Sequence, residues 1–293
     1  MLLPLQILVL PVIALYLLLS LLPLKTLYAG TSAAKRIGLS LFGREIKRKP
    51  RERIATAFPD LDKSEVETHV NEHFKRMSWF AAEFIKDLSP FSFRAAMASE
   101  VDNEPVFLDT VRKSKVTICF CAHCYNYENL TGILSRYGDC DFYLVYESVK
   151  FYPLMEWMIC RKRSHSGGNV HLIPASAALQ IFNLVKFYSE SDGEPRMVLG
   201  IVADISQSAS KESVDFLGRK RNIVVGPERI GRRFGASFLY VSSETLKRGH
   251  IRYRFHPLDT DYSADLYSVM RAFYAHLESD IRRSPADWMF WNE

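Results

Sequence analysis

Residues 116–130 read Val-Thr-Ile-Cys-Phe-Cys-Ala-His-Cys-Tyr-Asn-Tyr-Glu-Asn-Leu, and no other stretch restricts the possible folds as strongly. Residues 116–122 are apolar and partly β-branched, the pattern of a short strand buried in a sheet. A helical pattern takes over from Glu128 to Leu134. Between the two lies His123, five residues before Glu128. A strand that delivers an imidazole and then turns into a helix places that imidazole at the strand's carboxyl end, where open α/β sheets bind ligands.

The rest of the chain repeats the alternation. Strands are predicted at 141–146, 170–174, 197–203, 238–242 and 251–256, and helices at 154–163, 177–190 and 264–283. Residues 106–113 suit a short helix or strand. Strands separated by helices of this length indicate an α/β fold, a mixed sheet flanked by helices. Upstream, Asp60-Leu61-Asp62 leads into an amphipathic helix with Val66, Val70, Phe74, Met77 and Ala81 on one face, capped by Ser64 with Glu67 or by Asp62 one turn earlier. The helix runs towards Lys86, and Pro90 interrupts the pattern.

Charge divides the chain. Residues 1–24 carry none and are mostly Leu, Ile and Val. That is enough to cross about 30 Å of hydrocarbon, so a transmembrane anchor is expected there. A cleaved signal peptide would need a positive start and a shorter apolar core. Residues 25–53 then hold nine basic residues against Glu45 and Glu52, a net +7 beside +5 for the whole chain. The body is therefore slightly acidic, and basic residues next to a span place it on the cytoplasmic side and attract anionic headgroups. A membrane surface explains this charge better than nucleic acid, for which no binding motif is present. The expected organisation is an anchor over 1–24, a basic, helical, interfacial region over 25–105 and an α/β domain over 106–293.

The five cysteines, Cys119, Cys121, Cys124, Cys140 and Cys160, are odd in number. They fit free thiols in a reducing compartment better than a disulfide framework. Cys119, Cys121, His123 and Cys124 lack the distant second pair of a structural zinc site, so no metal is expected.

On a continuous helix His123 and Glu128 would stand about 140° apart. They meet if His123 lies on the turn and Glu128 in the first helical turn, the carboxylate then holding one ring nitrogen and leaving the other as a general base. Arg161 and Arg163 suit a phosphate, whose geometry a guanidinium fork matches, or a solvated helix end. Asp204, at the end of a buried strand, orients an Arg or His, or caps the next turn. Trp288 and Trp291 suit an interfacial aromatic anchor or core packing.

The block His123-x-x-Asn126-x-Glu128-Asn129 resembles the His-x4-Asp/Glu block of glycerolipid-type acyltransferases. It is most similar to the His-x-Gly-Asn-Trp-Glu form of the bacterial lipid A late acyltransferases, with Tyr125 in place of the Gly and Tyr127 in place of the Trp. Phe58-Pro59-Asp60, Leu154-Met155-Glu156-Trp157 with Arg161 and Arg163, Ile201-Val202-Ala203-Asp204, Phe216-Leu217-Gly218, and Ile281-Arg282 with Pro285-x-x-Trp288-x-x-Trp291 resemble further family segments in the family's order. Glu147 stands where that family often has Arg.

The resemblance implies a glycerolipid-acyltransferase-like fold and an O-acyltransferase of the bacterial inner membrane, anchored by one N-terminal span and facing the cytoplasm. His123 would deprotonate an acceptor hydroxyl and Glu128 would orient it, with Asn126, Arg161, Arg163 and Asp204 at the substrates. The oxyanion donors would be backbone N–H groups near Asn126, or an Arg. The implied donor is acyl carrier protein or acyl-CoA, and the acceptor a lipid A precursor or related glycolipid, with no cofactor. Alternatives are an acyltransferase acting on an aminolipid or phospholipid, and a catalytically silent lipid-binding scaffold.

Overall fold

The computed structural model describes residues 3–87, 89, 98–134, 136–148, 156, 160, 163, 168–193, 195–205, 211–258 and 265–292. Four helices precede the sheet: α1 (Leu3–Ser20), α2 (Leu24–Ile46), α3 (Arg48–Ala57) and α4 (Lys63–Asp87). The apolar N-terminal segment is helical as far as Ser20. The N–H groups of Leu21 and Leu22 bond three residues back, to Leu18 and Leu19, and Pro23 stands at the N-cap of α2. α1 holds 18 residues and ends at Ser20. Among the described residues no helix is long and apolar enough to cross a membrane, so the span expected over 1–24 is not supported.

Helix α4 organises this region. Its N-terminus is capped by Asp62, whose Oδ1 accepts from the N–H groups of Ser64 and Glu65, while Glu65 returns a carboxylate oxygen to the N–H of Asp62. The box is therefore Asp62 with Glu65, which releases Glu67 for another task. Glu67 binds Lys47 at 2.8 Å and Arg51 at 2.7 Å, clamping α3 and the end of α2 onto α4. Part of the basic segment is thus neutralised by an acidic residue of α4.

The centre is a seven-stranded sheet. In chain order the strands are β1 (Ala98–Val101), β2 (Val116–Cys121), β3 (Cys140–Tyr146), β4 (Val170–Pro174), β5 (Arg196–Val202), β6 (Ser213–Phe216), β7 (Arg219–Asn222), β8 (Ser237–Lys247) and β9 (His250–Pro257). The sheet order is β1-β9-β8-β2-β5-β3-β4, with β8 and β9 antiparallel and every other neighbouring pair parallel. β6 and β7 form a separate hairpin. Its tip, Leu217 and Gly218, takes positive φ at both residues, as a two-residue hairpin turn requires. The mixed α/β sheet is the expected class, but β1, this hairpin and a helix at 226–233 carry no periodicity that announces them.

Helices cover both faces. α5 (Glu104–Lys113) and α6 (Leu130–Leu134) pack with Cys119, Phe142, Val198 and Leu239 on one side. α7 (Ala178–Ser189), α8 (Gly226–Arg233) and α9 (Ser268–Arg283) pack with Ile118, Phe120, Leu199 and Phe238 on the other. This two-sided cover explains why β2 is apolar along its length instead of alternating. α8 approaches the sheet so closely that a Cβ on Gly231 would lie 2.4 Å from the Phe238 ring. Of the predicted helix at 154–163, Glu156, Cys160 and Arg163 are described, and all three are helical; Arg161 lies outside the described residues. The last helix begins at Ser268, and residues 259–264 likewise lie outside the described set.

A C-terminal 3-10 turn, Pro285–Asp287, returns to α4. Asp287 pairs with Arg76, and the ring of His73 bonds the backbone of Ala286. Trp288 and Trp291 are 4% and 1% exposed, so these indoles pack in the core and form no interfacial belt. His73 is 1% exposed with Nδ1 unpartnered, and burial lowers its pKa to about 4. The unfolded chain takes up that proton below about pH 6.5, whereas the folded chain resists it to about pH 4. Acid therefore favours unfolding through this ring by about 3 kcal/mol between those limits. Chemical denaturation of His73→Gln should show a shallower loss of stability from pH 7 to 4 than the parent, by about that amount; equal slopes would contradict it.

Candidate active site

The parallel register of β2 and β5 builds the site. Cys121 lies opposite Val202, the last pair of the ladder. Each strand then adds one alanine, Ala122 and Ala203, and next a polar residue, His123 and Asp204. Neighbouring strands lie about 4.8 Å apart. Equal steps beyond a shared register row therefore bring these side chains together. Nδ1 of His123 stands 2.7 Å from Oδ1 of Asp204.

Asp204 is fully buried and fully used. Its Oδ2 accepts from the backbone N–H of His123 at 3.1 Å and from the indole N–H of Trp288 at 2.9 Å, and its carbonyl accepts from Nε of Arg221 at 2.9 Å. With a carboxylate on Nδ1, the neutral imidazole carries its proton there and leaves Nε2 as the basic nitrogen. The ring is wedged edge-on between Tyr127 and Phe290, at centroid distances of 4.8 and 4.6 Å. The C-terminal strap completes the mount: Met289 donates to the carbonyl of His123, and Tyr125 donates to that of Asp287.

The expected pairing of His123 with Glu128 is therefore replaced by His123 with Asp204. Glu128 sits in a 3-10 turn, Tyr127–Asn129, ahead of α6. Its carboxylate is gripped in a two-point fork by Arg163, with Nε to Oε2 at 2.9 Å and Nη2 to Oε1. Burial opposes the charge on Arg163, but the bonds and field of Glu128 outweigh it and raise its pKa. Arg163 thus turns its fork towards Glu128, and not towards an acceptor phosphate. Asn126, expected at a substrate, is 1% exposed and donates to Glu83 of α4. The N–H groups of Cys124, Tyr125 and Tyr127 are taken by the carbonyls of Ala122, Asp287 and Tyr125, so these three donors are committed.

A cavity of about 770 Å³ opens beside the imidazole. Its shape follows from the sheet. β3 pairs with β5 only as far as the row Leu144–Gly200. β5 then continues with β2, and β3 with β4 as far as Tyr146–Pro174. The fork between β3 and β5 is the switch point of an open α/β sheet, where a crevice is expected. Leu144, Val145, Gly200 and Ile201 line it, with Ile181 of α7 and Ile230 of α8, and His123, Tyr127, Glu128 and Arg163 line it too. A Cβ on Gly200 would fall 2.7 Å from Leu144 Cδ2, so a larger residue here would push the Leu144 side chain aside.

Cys119 and Cys121 also line the cavity. Burial pushes the Cys119 thiol up to about 12 and raises Cys121 and Cys124 as well, which holds these thiols protonated and unsuited to nucleophilic attack. Among the described residues no three His, Cys, Asp or Glu side chains are arranged to hold a metal.

Glu83 is the site's least expected member. It is fully buried, and its carboxylate accepts from Tyr28, Tyr125 and Asn126. Burial raises its pKa, against the lowering effect of those three donors. One signal was present in the sequence: Glu83 is the single charged residue in the apolar run 79–85. Arg221, Trp288 and Phe290 carry no such signal for a place around His123.

A family model described as bacterial lipid A biosynthesis acyltransferase matches residues 1–292. Comparison with curated proteins finds no match.

The Glu128–Arg163 pair has 5% and 17% exposed side chains. Removing one partner strands a buried charge, which costs about 3–5 kcal/mol, whereas replacing both with apolar groups is often neutral. Denaturant titration should therefore find Arg163→Ala less stable by that order, and Arg163→Met with Glu128→Leu close to the parent. A mild Arg163→Ala would contradict the pairing.

Proposed function

The chain belongs to the bacterial lipid A biosynthesis acyltransferase family, and from that premise we propose that it moves a fatty acyl group from a thioester carrier to a hydroxyl of a lipid A precursor or related glycolipid. The observation that carries this reading is the His123–Asp204 pair opening into a largely apolar cavity. Nε2 of His123 takes the proton of the acceptor hydroxyl as its oxygen attacks the thioester carbonyl. Asp204 stabilises the imidazolium that forms, as the carboxylate does in other histidine dyads. Collapse of the tetrahedral adduct breaks the carbon–sulfur bond, and the imidazolium returns its proton to the leaving thiolate. No enzyme nucleophile enters this sequence, in keeping with the protonated thiols nearby.

The cavity suits an acyl chain. Its volume lies within the roughly 300–1,000 Å³ of ligand sites, and its walls are mainly apolar. The donor in this proposal is acyl carrier protein or acyl-CoA. The protein works at a lipid surface, for which α2 offers exposed Ile37, Leu41 and Phe42 beside Arg36 and Arg44, and α1 offers exposed Leu15 and Leu18. In this proposal that surface is the cytoplasmic face of a bacterial inner membrane, whose anionic headgroups would attract the basic residues of 25–53.

The test uses the purified full chain in detergent, a labelled acyl chain on carrier protein or on CoA, and a mixed bacterial lipid extract. Label should reach a lipid with the parent and stay at background with His123→Ala. Asp204→Asn should lose about 10²–10⁴-fold, because the wrong tautomer is favoured. Product mass identifies the acceptor. Equal transfer by the parent and His123→Ala with both donors would overturn the proposal.

A further inference from the structure

Glu83 takes no part in the chemistry above, yet it is one of the most completely enclosed charged groups in the described structure. It lies in α4 and touches two other parts of the molecule. From α2, the hydroxyl of Tyr28 donates to its Oε1 at 2.6 Å. From the loop after His123, the hydroxyl of Tyr125 donates to the same oxygen at 2.6 Å, and the amide of Asn126 donates to Oε2 at 3.1 Å. We infer that Glu83 is a positioning residue, which fixes the loop that carries His123 and ties that loop to α2. The inference rests on the reading of His123 as the base.

The loop needs such a fixture. Tyr125 has φ of +32°, a left-handed conformation that side chains beyond glycine avoid. A conformation of this kind persists only where its surroundings hold it. Tyr125 is held twice, through its N–H on the carbonyl of Asp287 and through its hydroxyl on Glu83. Asn126 is likewise held twice, by Glu83 and by the hydroxyl of Tyr253 on its carbonyl at 3.2 Å. His123 sits two residues upstream, with its own backbone in the same strap. Movement of Tyr125 therefore reaches the imidazole through one intervening residue.

The third donor extends the device to the helix with the exposed apolar and basic face. Tyr28 reaches the loop through the carboxylate oxygen that it shares with Tyr125. Arg248 lies over the Tyr28 ring, 4.5 Å from its centroid, and closes the pocket from the β8–β9 turn. A shift of α2 against α4 is thereby transmitted to Tyr125 through Glu83. Burial makes water a poor substitute for any of these donors.

Two variants and two readouts test this. Glu83→Gln removes the charge and one acceptor at constant shape, and Tyr28→Phe removes one donor that is remote from His123. The first readout is acyl transfer by the full chain in detergent. Tyr28→Phe should lower kcat about 3–10-fold and Glu83→Gln about 10–100-fold, both with KM near the parent value. The second readout needs no substrate: the rate at which diethyl pyrocarbonate modifies His123, followed by mass spectrometry, with half-exposed His171 as internal standard. Both variants should change the His123 rate at least about threefold relative to His171, the scale of one lost hydrogen bond. A purely structural role would lower the melting temperature and leave the relative His123 rate unchanged, and that result would overturn the inference. If Glu83→Gln does not fold, Tyr28→Phe decides alone. If the parent shows no acyl transfer, the functional reading fails, while the modification rates still decide the positioning role.

Discussion

The pairing of β2 with β5 is the constraint on which the rest depends. Parallel neighbours hold a fixed register, and this one ends at Cys121 and Val202. Because each strand is followed by one alanine, the imidazole and the carboxylate leave the sheet side by side. Shifting either strand by two residues would separate them by about 6.6 Å, since strands rise roughly 3.3 Å per residue. A shift of one residue would turn one strand's side chains to the opposite face. The apolar layers on both sides of the sheet therefore secure more than stability. Ile118 and Phe120 on one face, with Cys119 on the other, lock the register that makes the site.

Buried polar groups do the remaining positioning, and each charged one has partners. Asp204 serves His123 and Trp288, Glu128 serves Arg163, and Asp287 serves Arg76 and Thr245. Such groups contribute modest net stability but are costly to leave half-satisfied, so they define one arrangement strongly. They also come from distant parts of the chain. α4 and the C-terminal turn clasp the loop after β2 from two directions, which leaves the imidazole 20% exposed on the cavity side.

Much of this was legible in the sequence because local pattern carries it. The strand–helix alternation predicts the sheet, and β2 to β5 fall within a residue or two of their expected positions. His123 at a strand end and Asp204 at another are visible as residues, and orienting a histidine was one of two readings open for Asp204. The choice between Asp204 and Glu128 was not legible. Glu128 is five residues away in sequence and Asp204 is 81, and only the sheet register shows that the distant one is closer to the ring. The same holds for Arg163, whose fork is drawn in by a carboxylate that the sequence assigns to another partner. At the N-terminus, hydropathy alone suggests one span. The tightened turn at Leu21 and Leu22, followed by Pro23, ends the helix at Ser20 instead, a local effect that an average over composition conceals.

The central claim is that Asp204, and not Glu128, sets the proton of His123. Nitrogen-15 long-range correlation spectra of the histidine rings report that tautomer directly. The account predicts a His123 signal of the Nδ1-protonated form in the parent and in Glu128→Gln, and loss of that form in Asp204→Asn. An Nε2-protonated His123 in the parent, or a tautomer that responds to Glu128→Gln and ignores Asp204→Asn, would contradict it.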